Sequence, residues 1–150
     1  MQAKYEYRYR DNAGSTLRSI NALDHLPKIG TPTELRGYCH RSTHNNRLAV
    51  LVRGKNGTAR FSSFCWGYNG EGPRGLMELF SRLRIPLELA EYVAHKSESP
   101  DWSRPREYWR LQLHPSGGYD LYLYDKKGRV VGHREYTLQM KEKFQLQLAM

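Results

Sequence analysis

Tyr108-Trp109-Arg110-Leu111-Gln112-Leu113 and, after a Ser116-Gly117-Gly118 turn, Tyr119-Asp120-Leu121-Tyr122-Leu123-Tyr124 decide the fold class. Trp109, Leu111 and Leu113 alternate with Tyr108, Arg110 and Gln112, and Tyr119, Leu121 and Leu123 alternate with Asp120, Tyr122 and Tyr124. Successive side chains on a strand point to opposite faces, so each run carries one apolar and one polar face. A further turn at Lys126-Lys127-Gly128 and a third run over residues 129–138 extend this into an antiparallel meander. Burial of one face only predicts helices on that side and none on the other.

Upstream of the meander the period changes. Leu76, Leu79, Phe80 and Leu83 stand at i, i+3, i+4 and i+7, which is one buried helix face, with Pro73 suited to the first turn and Glu78 and Arg82 paired on the outer face. Ile85-Pro86 breaks this helix, and residues 87–95 form a second one that buries Leu89, Ala90 and Val93. Residues 97–105 read as a loop, expected to be ordered because Trp102 is costly to leave in water. Further upstream, a strand over residues 47–53 is bracketed by Arg47 and Arg53, turns at Gly54-Lys55-Asn56-Gly57 and returns over residues 58–66. Lys4-Tyr5-Glu6-Tyr7-Arg8-Tyr9-Arg10 predicts a strand with Tyr5, Tyr7 and Tyr9 on one face. Ser15 caps a helix reaching Leu26, with Leu17, Ile20 and Leu23 inward and Pro27 closing it. Residues 28–46 are the least regular, Thr31-Pro32-Thr33-Glu34 reading as a short helical turn, and residues 144–148 alternate as a strand would. Together these predict one α+β domain over residues 1–150, a mainly antiparallel sheet of five to six strands with two or three helices on one face.

Eleven tyrosines supply much of the 39% apolar content, a composition that suits half-wet faces and ligand surfaces. The 24 Lys and Arg exceed the 15 Asp and Glu by nine, which favours a phosphate-bearing partner or an acidic protein face. The excess is spread evenly, so any positive patch must be assembled by folding. Cys39 and Cys65 form no Cys-x-x-Cys pair, the first residues lack the apolar core of a signal peptide, and the longest apolar run is Leu48-Ala49-Val50-Leu51-Val52. The expectation is a cytoplasmic protein with free thiols, no membrane span and no disulfide.

The richest local motif is Phe64-Cys65-Trp66-Gly67-Tyr68-Asn69-Gly70-Glu71-Gly72-Pro73-Arg74-Gly75-Leu76, a strand end that passes through glycines into a helix. A helix N-terminus presents unpaired N–H groups to an anion, and glycines admit close approach of a ligand. Arg74 is placed to clamp a phosphate and Trp66 and Tyr68 to stack on a base, with the backbone at Gly70, Gly72 and Gly75 as cradle and Arg60 and Arg110 as helpers. No Lys-Ser/Thr follows, as a Walker loop requires. Gly70, Gly72 and Gly75 do have the Gly-x-Gly-x-x-Gly spacing, but Pro73 removes an amide where the pyrophosphate would lie and no βαβ unit surrounds it. The alternative is a purely structural turn whose aromatics pack. The stretch also resembles the Phe-x-Trp-Gly-Tyr-Gly-Gly-x-Gly-Pro-x-x-Leu motif of a small, functionally uncharacterised domain family of bacteria, plasmids and phages, with Asn69 in place of a glycine. The resemblance covers residues 64–76 and implies a shared strand–turn–helix unit and a mobile-element accessory role, such as defence or anti-defence.

Other constellations compete. His40-Arg41-Ser42 and His95-Lys96-Ser97 are two His-x-Ser pairs, the pattern of two-histidine phosphodiesterases, in which the histidines act as acid and base. Cys39, His40 and His44 with Cys65 are a conceivable zinc set, though without the paired ligands a structural site shows, so no metal and no cofactor is expected. Tyr5/Arg8/Tyr9/Arg10, Tyr108/Trp109/Arg110 and Tyr122/Tyr124/Lys126/Lys127 interleave rings with cations, as single-strand binders do and as ordinary cross-strand pairs also do. The leading expectation is a non-enzymatic binding module for a nucleotide or nucleic acid. The alternatives are a protein-binding factor that occupies another protein's nucleic-acid site, and a phosphodiesterase using His40, Ser42, His95 and Ser97.

Overall fold

A computed structural model describes residues 6–11, 14–42 and 45–137. Its centre is a mixed sheet of seven strands in the order β1-β4-β3-β2-β5-β6-β7. The strands are β1 (Tyr7–Arg10), β2 (Pro32–His40), β3 (Arg47–Gly54), β4 (Gly57–Phe61), β5 (Arg106–Leu113), β6 (Tyr119–Tyr124) and β7 (Val130–Tyr136). All neighbours are antiparallel except β1 and β4, which run parallel. The sheet is therefore two meanders, β2-β3-β4 and β5-β6-β7, joined edge to edge where β2 meets β5, with β1 added in parallel to the outer edge of β4.

The strand beyond the expected five to six is β2, in the segment read as irregular. Its inward positions are Leu35, Gly37 and Cys39, a weak apolar signal, and its outward ones are Glu34, Arg36, Tyr38 and His40. A Cβ on Gly37 would sit 2.3 Å from the Trp109 indole, so the missing side chain is the space Trp109 fills. The predicted helical turn at Thr31-Pro32-Thr33-Glu34 is instead the entry to this strand.

Three helices cover one face: α1 (Thr16–Asn21), α2 (Glu71–Arg82) and α3 (Leu87–Glu91). Ser15 caps α1 by accepting from the Arg18 N–H, but the helix tightens into a 3-10 stretch, Ala22–Ile29, that contains Pro27. Ile20 packs on the core and Leu23 is buried, while Leu17, expected inward, is exposed. α2 buries Leu76, Leu79 and Phe80, as its period predicts. After α3 the chain widens into a π turn, Tyr92–Lys96, rather than continuing as α-helix to residue 95. The return strand stops at Phe61, short of residue 66.

The core lies between helices and sheet and contains Leu35, Val50, Val52, Phe61, Trp66, Phe80, Trp109, Leu111 and Leu121, all fully buried. Trp66 meets Trp109 edge-on with centroids 5.7 Å apart. A bulge between β2 and β5 turns Tyr108 inward beside Trp109, so the strict alternation expected there fails at that residue. Tyr5, His44, Leu138 and the alternating run at 144–148 lie outside the described residues.

Candidate functional site

The face of the sheet turned away from the helices carries a continuous row. Register sets Arg10, Arg60, Leu51, Arg36, Arg110, Tyr122 and His133 side by side, one from each strand in sheet order. At about 4.8 Å between strands the row spans roughly 29 Å. The helices gather on the opposite face, so no helix among the described residues covers it.

Charge along this row is uneven. In the middle, Arg36 pairs with Glu107, while Glu34 lies 3.7 Å from Arg110 and 3.9 Å from Arg53. The Arg110 guanidinium lies over the Tyr122 ring at 4.8 Å, and Tyr122 stacks on His133 at 4.8 Å. Toward β7, Asp120 accepts from His133 at 2.7 Å and is hydrogen-bonded to His114; these two bonds hold its carboxyl below the usual range. Toward β1, Arg8 pairs with Glu6 at 3.3 Å, but its neighbours on this face have no such compensation. Arg10 and Arg60 are direct neighbours across β1 and β4, and Arg47 is paired with His40 across β3 and β2. Among the described residues no carboxylate pairs with Arg10, Arg47 or Arg60. All three act on His40: burial first, then the Arg60 charge, and also Arg47 and Arg10, push its imidazole below the ordinary histidine value against the pull of a bond to the Arg41 carbonyl.

The junction at residues 64–76 has a different character. Trp66 is wholly buried, packed against Tyr108 and Trp109, and has no ring face left for a base. Added Cβ atoms at Gly70, Gly72 and Gly75 would come within 2.6, 2.7 and 2.5 Å of Tyr68, Cys65 and Thr16 respectively, so these glycines let α2 and the preceding loop close on each other. Gly67 has φ +88° and its N–H donates to the Ala94 carbonyl at 2.9 Å, which only glycine does without strain. Arg74 is exposed on the first turn of α2, where Glu71 places a negative charge. Tyr68 is 44% exposed and lines a cleft of about 480 Å³ together with Ser62, Ser63, Cys65, Glu71, Ser99 and Trp102. Arg60 and Arg110, expected as helpers of the junction, are on the open face instead, in one row.

His40 and His95 are not brought together. His40 stands on the open face beside the arginines, whereas His95 ends the π turn in the helical layer, its Nδ1 3.1 Å from the Tyr68 carbonyl. Ser97 donates to the Val93 carbonyl at 2.5 Å and is buried. Ser42 follows β2, so the two His-x-Ser pairs belong to different layers, one on the sheet and one in the helical layer. Cys39 points into the core while His40 points out, both cysteines are free and buried, and burial raises the pKa of each thiol. Among the described residues no three His, Cys, Asp or Glu side chains form a metal-holding group, and no helix is long and apolar enough to cross a membrane.

Reading the sequence singled out Arg60 and Arg110 but missed Arg47 and Arg36 as members of one surface. Arg47 was legible only as the bracket of a strand, and nothing local says that it faces His40. No protein-family model, curated protein or solved structure matches the chain.

Proposed function

We propose that this protein is a non-enzymatic nucleic-acid-binding module that holds the sugar–phosphate backbone on the open face of its sheet. One observation carries the reading: Arg10, Arg47 and Arg60 converge on His40 with no carboxylate pairing with them among the described residues. Like charges gathered this way repel, and the repulsion is relieved when a polyanion supplies the missing counter-charge. The row continues across the sheet through Arg36, Arg110 and Tyr122, which gives a track for several consecutive nucleotides rather than a pocket for one phosphate. Tyr122 lies beside both Arg110 and His133 in that row, so contact on this face is chiefly with phosphate and tolerant of sequence.

The test is fluorescence anisotropy of a labelled oligonucleotide across a salt series. With three phosphates neutralised, affinity for a single strand falls about 20-fold between 50 and 200 mM salt, following a slope of about −0.7 per phosphate. Arg60→Ala, Arg47→Ala and Arg10→Ala each weaken binding and flatten that slope by about 0.7. If the triple variant binds with unchanged affinity and slope, the reading is wrong.

A further inference from the structure

We infer that the cleft beside the junction is a nucleobase pocket, so that the ligand is a single strand with at least one unstacked base; this rests on the nucleic-acid reading of the open face. The fold leaves six large apolar side chains exposed among the described residues, and only two of them are aromatic, Tyr68 at 44% and Trp102 at 55%. Both line this one cleft. Exposing Trp102 is costly, and an indole held half in water at a cavity is a stacking surface for a planar ring. The volume of about 480 Å³ is within the range of small-molecule sites.

The chemistry of the lining selects the part of a nucleotide that enters. No lysine or arginine is among its residues, and Glu71 contributes a negative charge. A phosphate is therefore disfavoured inside, whereas an uncharged heterocycle meets Trp102, Tyr68, Phe64 and Pro100. The phosphates belong on the arginine corner, which lies at the same end of the sheet. Leu48, in the cleft wall, directly follows Arg47, and Ser62 stands two residues beyond Arg60, about 7 Å along the chain. A strand crossing the corner thus reaches the rim of the sheet where the cleft opens. The loop that carries Trp102 is anchored there: Asp101 caps Ser103, the Asp101 N–H donates to the Tyr108 hydroxyl, and Ser99 donates to the Gly67 carbonyl at 2.6 Å. The indole is presented by a fixed loop.

Trp102 also provides the measurement, because the other two tryptophans, Trp66 and Trp109, are fully buried and quenching by contact reports on Trp102 alone. The whole chain is titrated with a single-stranded oligonucleotide of about ten nucleotides, the matching duplex, and a strand of equal length lacking bases. The expected result is quenching by the ordinary single strand only. Trp102→Leu weakens binding of that strand about tenfold and leaves the abasic strand unaffected, while Trp102→Phe, which keeps a ring, retains most of the affinity. Arg60→Ala weakens all three ligands. If Trp102→Leu, shown to be folded by circular dichroism, binds the ordinary strand as the parent does and no quenching occurs, the pocket is overturned and the arginine face stands. If none of the three oligonucleotides binds, the nucleic-acid reading fails and the pocket with it.

Discussion

Asp11 is the buried carboxylate among the described residues, and its partners are neutral: Ser19 Oγ donates at 2.6 Å, the Ser62 N–H at 2.7 Å and Ser62 Oγ at 2.5 Å. These bonds tie the end of β1 to α1 and to the segment that leaves β4, so one side chain fixes the corner on which Arg10 and Arg60 stand. Asp11→Ala strands three donors and lowers unfolding free energy by about 2–3 kcal/mol, read as a shift of the urea midpoint at constant slope. His40 makes the corner measurable from inside. A histidine whose folded pKa lies below its unfolded value is held neutral, so its contribution to stability is present at neutral pH and is lost as pH falls through the ordinary histidine range. On the proposed reading, a bound polyanion would offset Arg60, Arg47 and Arg10 and reverse the shift. Histidine NMR titration is expected to show His40 titrating below 6.5 in the free protein and higher with oligonucleotide bound, with affinity rising as pH falls.

At the scale of elements, legibility follows how local the cause is. α2 was readable because its period is written in twelve consecutive residues, and the meander because each strand announces its own two faces. β2 was not, because what makes it a strand is Trp109, which closes over Gly37 from far along the chain. The same holds for Trp66: an aromatic among glycines reads as a ligand surface until the neighbours that bury it are known. Arg60 and Arg110 could be named singly, but the row they share exists only through the β2–β5 register. Gly37→Ala tests the seam directly. The new methyl is forced into the indole and costs about 1–3 kcal/mol by overpacking, whereas the same change at Gly14, which has nothing within 4 Å, carries no such penalty. A loop element makes the complementary case: Arg106, its side chain 5% exposed, reaches Glu98, the Tyr124 carbonyl at 2.6 Å and the Tyr108 ring at 4.0 Å, pinning residues 97–105 to β5 and β6. That anchoring is why a loop can present Trp102.

Across the whole molecule, the excess of nine positive charges is diffuse in the chain, and the sheet gathers Arg10, Arg47 and Arg60 at one corner. Carboxylates meet the arginines toward the centre of the open face, and Glu6 meets Arg8, but among the described residues none pairs with Arg10, Arg47 or Arg60. On the proposed reading, such an arrangement gives up stability for the sake of binding a polyanion. Replacing Arg10, Arg47 and Arg60 together by alanine is expected to raise the thermal midpoint by a few degrees at low salt, the gain shrinking as salt screens the repulsion, while nucleic-acid binding is lost. Differential scanning calorimetry of parent and triple variant at two salt concentrations checks this, and a lower midpoint for the variant would contradict it.

The join between the two meanders also sets an order of events. β3 and β4 are linked by a tight hairpin, and β5, β6 and β7 follow one another through short turns, so each half can zip up from its own local contacts. β2 and β5 are separated in the chain by most of the helical layer, and closing so long a loop is expected to be the slow step. The arginine row is completed only at that step, since Arg36 comes from one half and Arg110 from the other. Stopped-flow refolding should therefore show burial of Trp109 and full-affinity binding of an oligonucleotide arriving in a single kinetic phase, because Arg110 and the Trp102 loop join the Arg10, Arg47 and Arg60 corner only then.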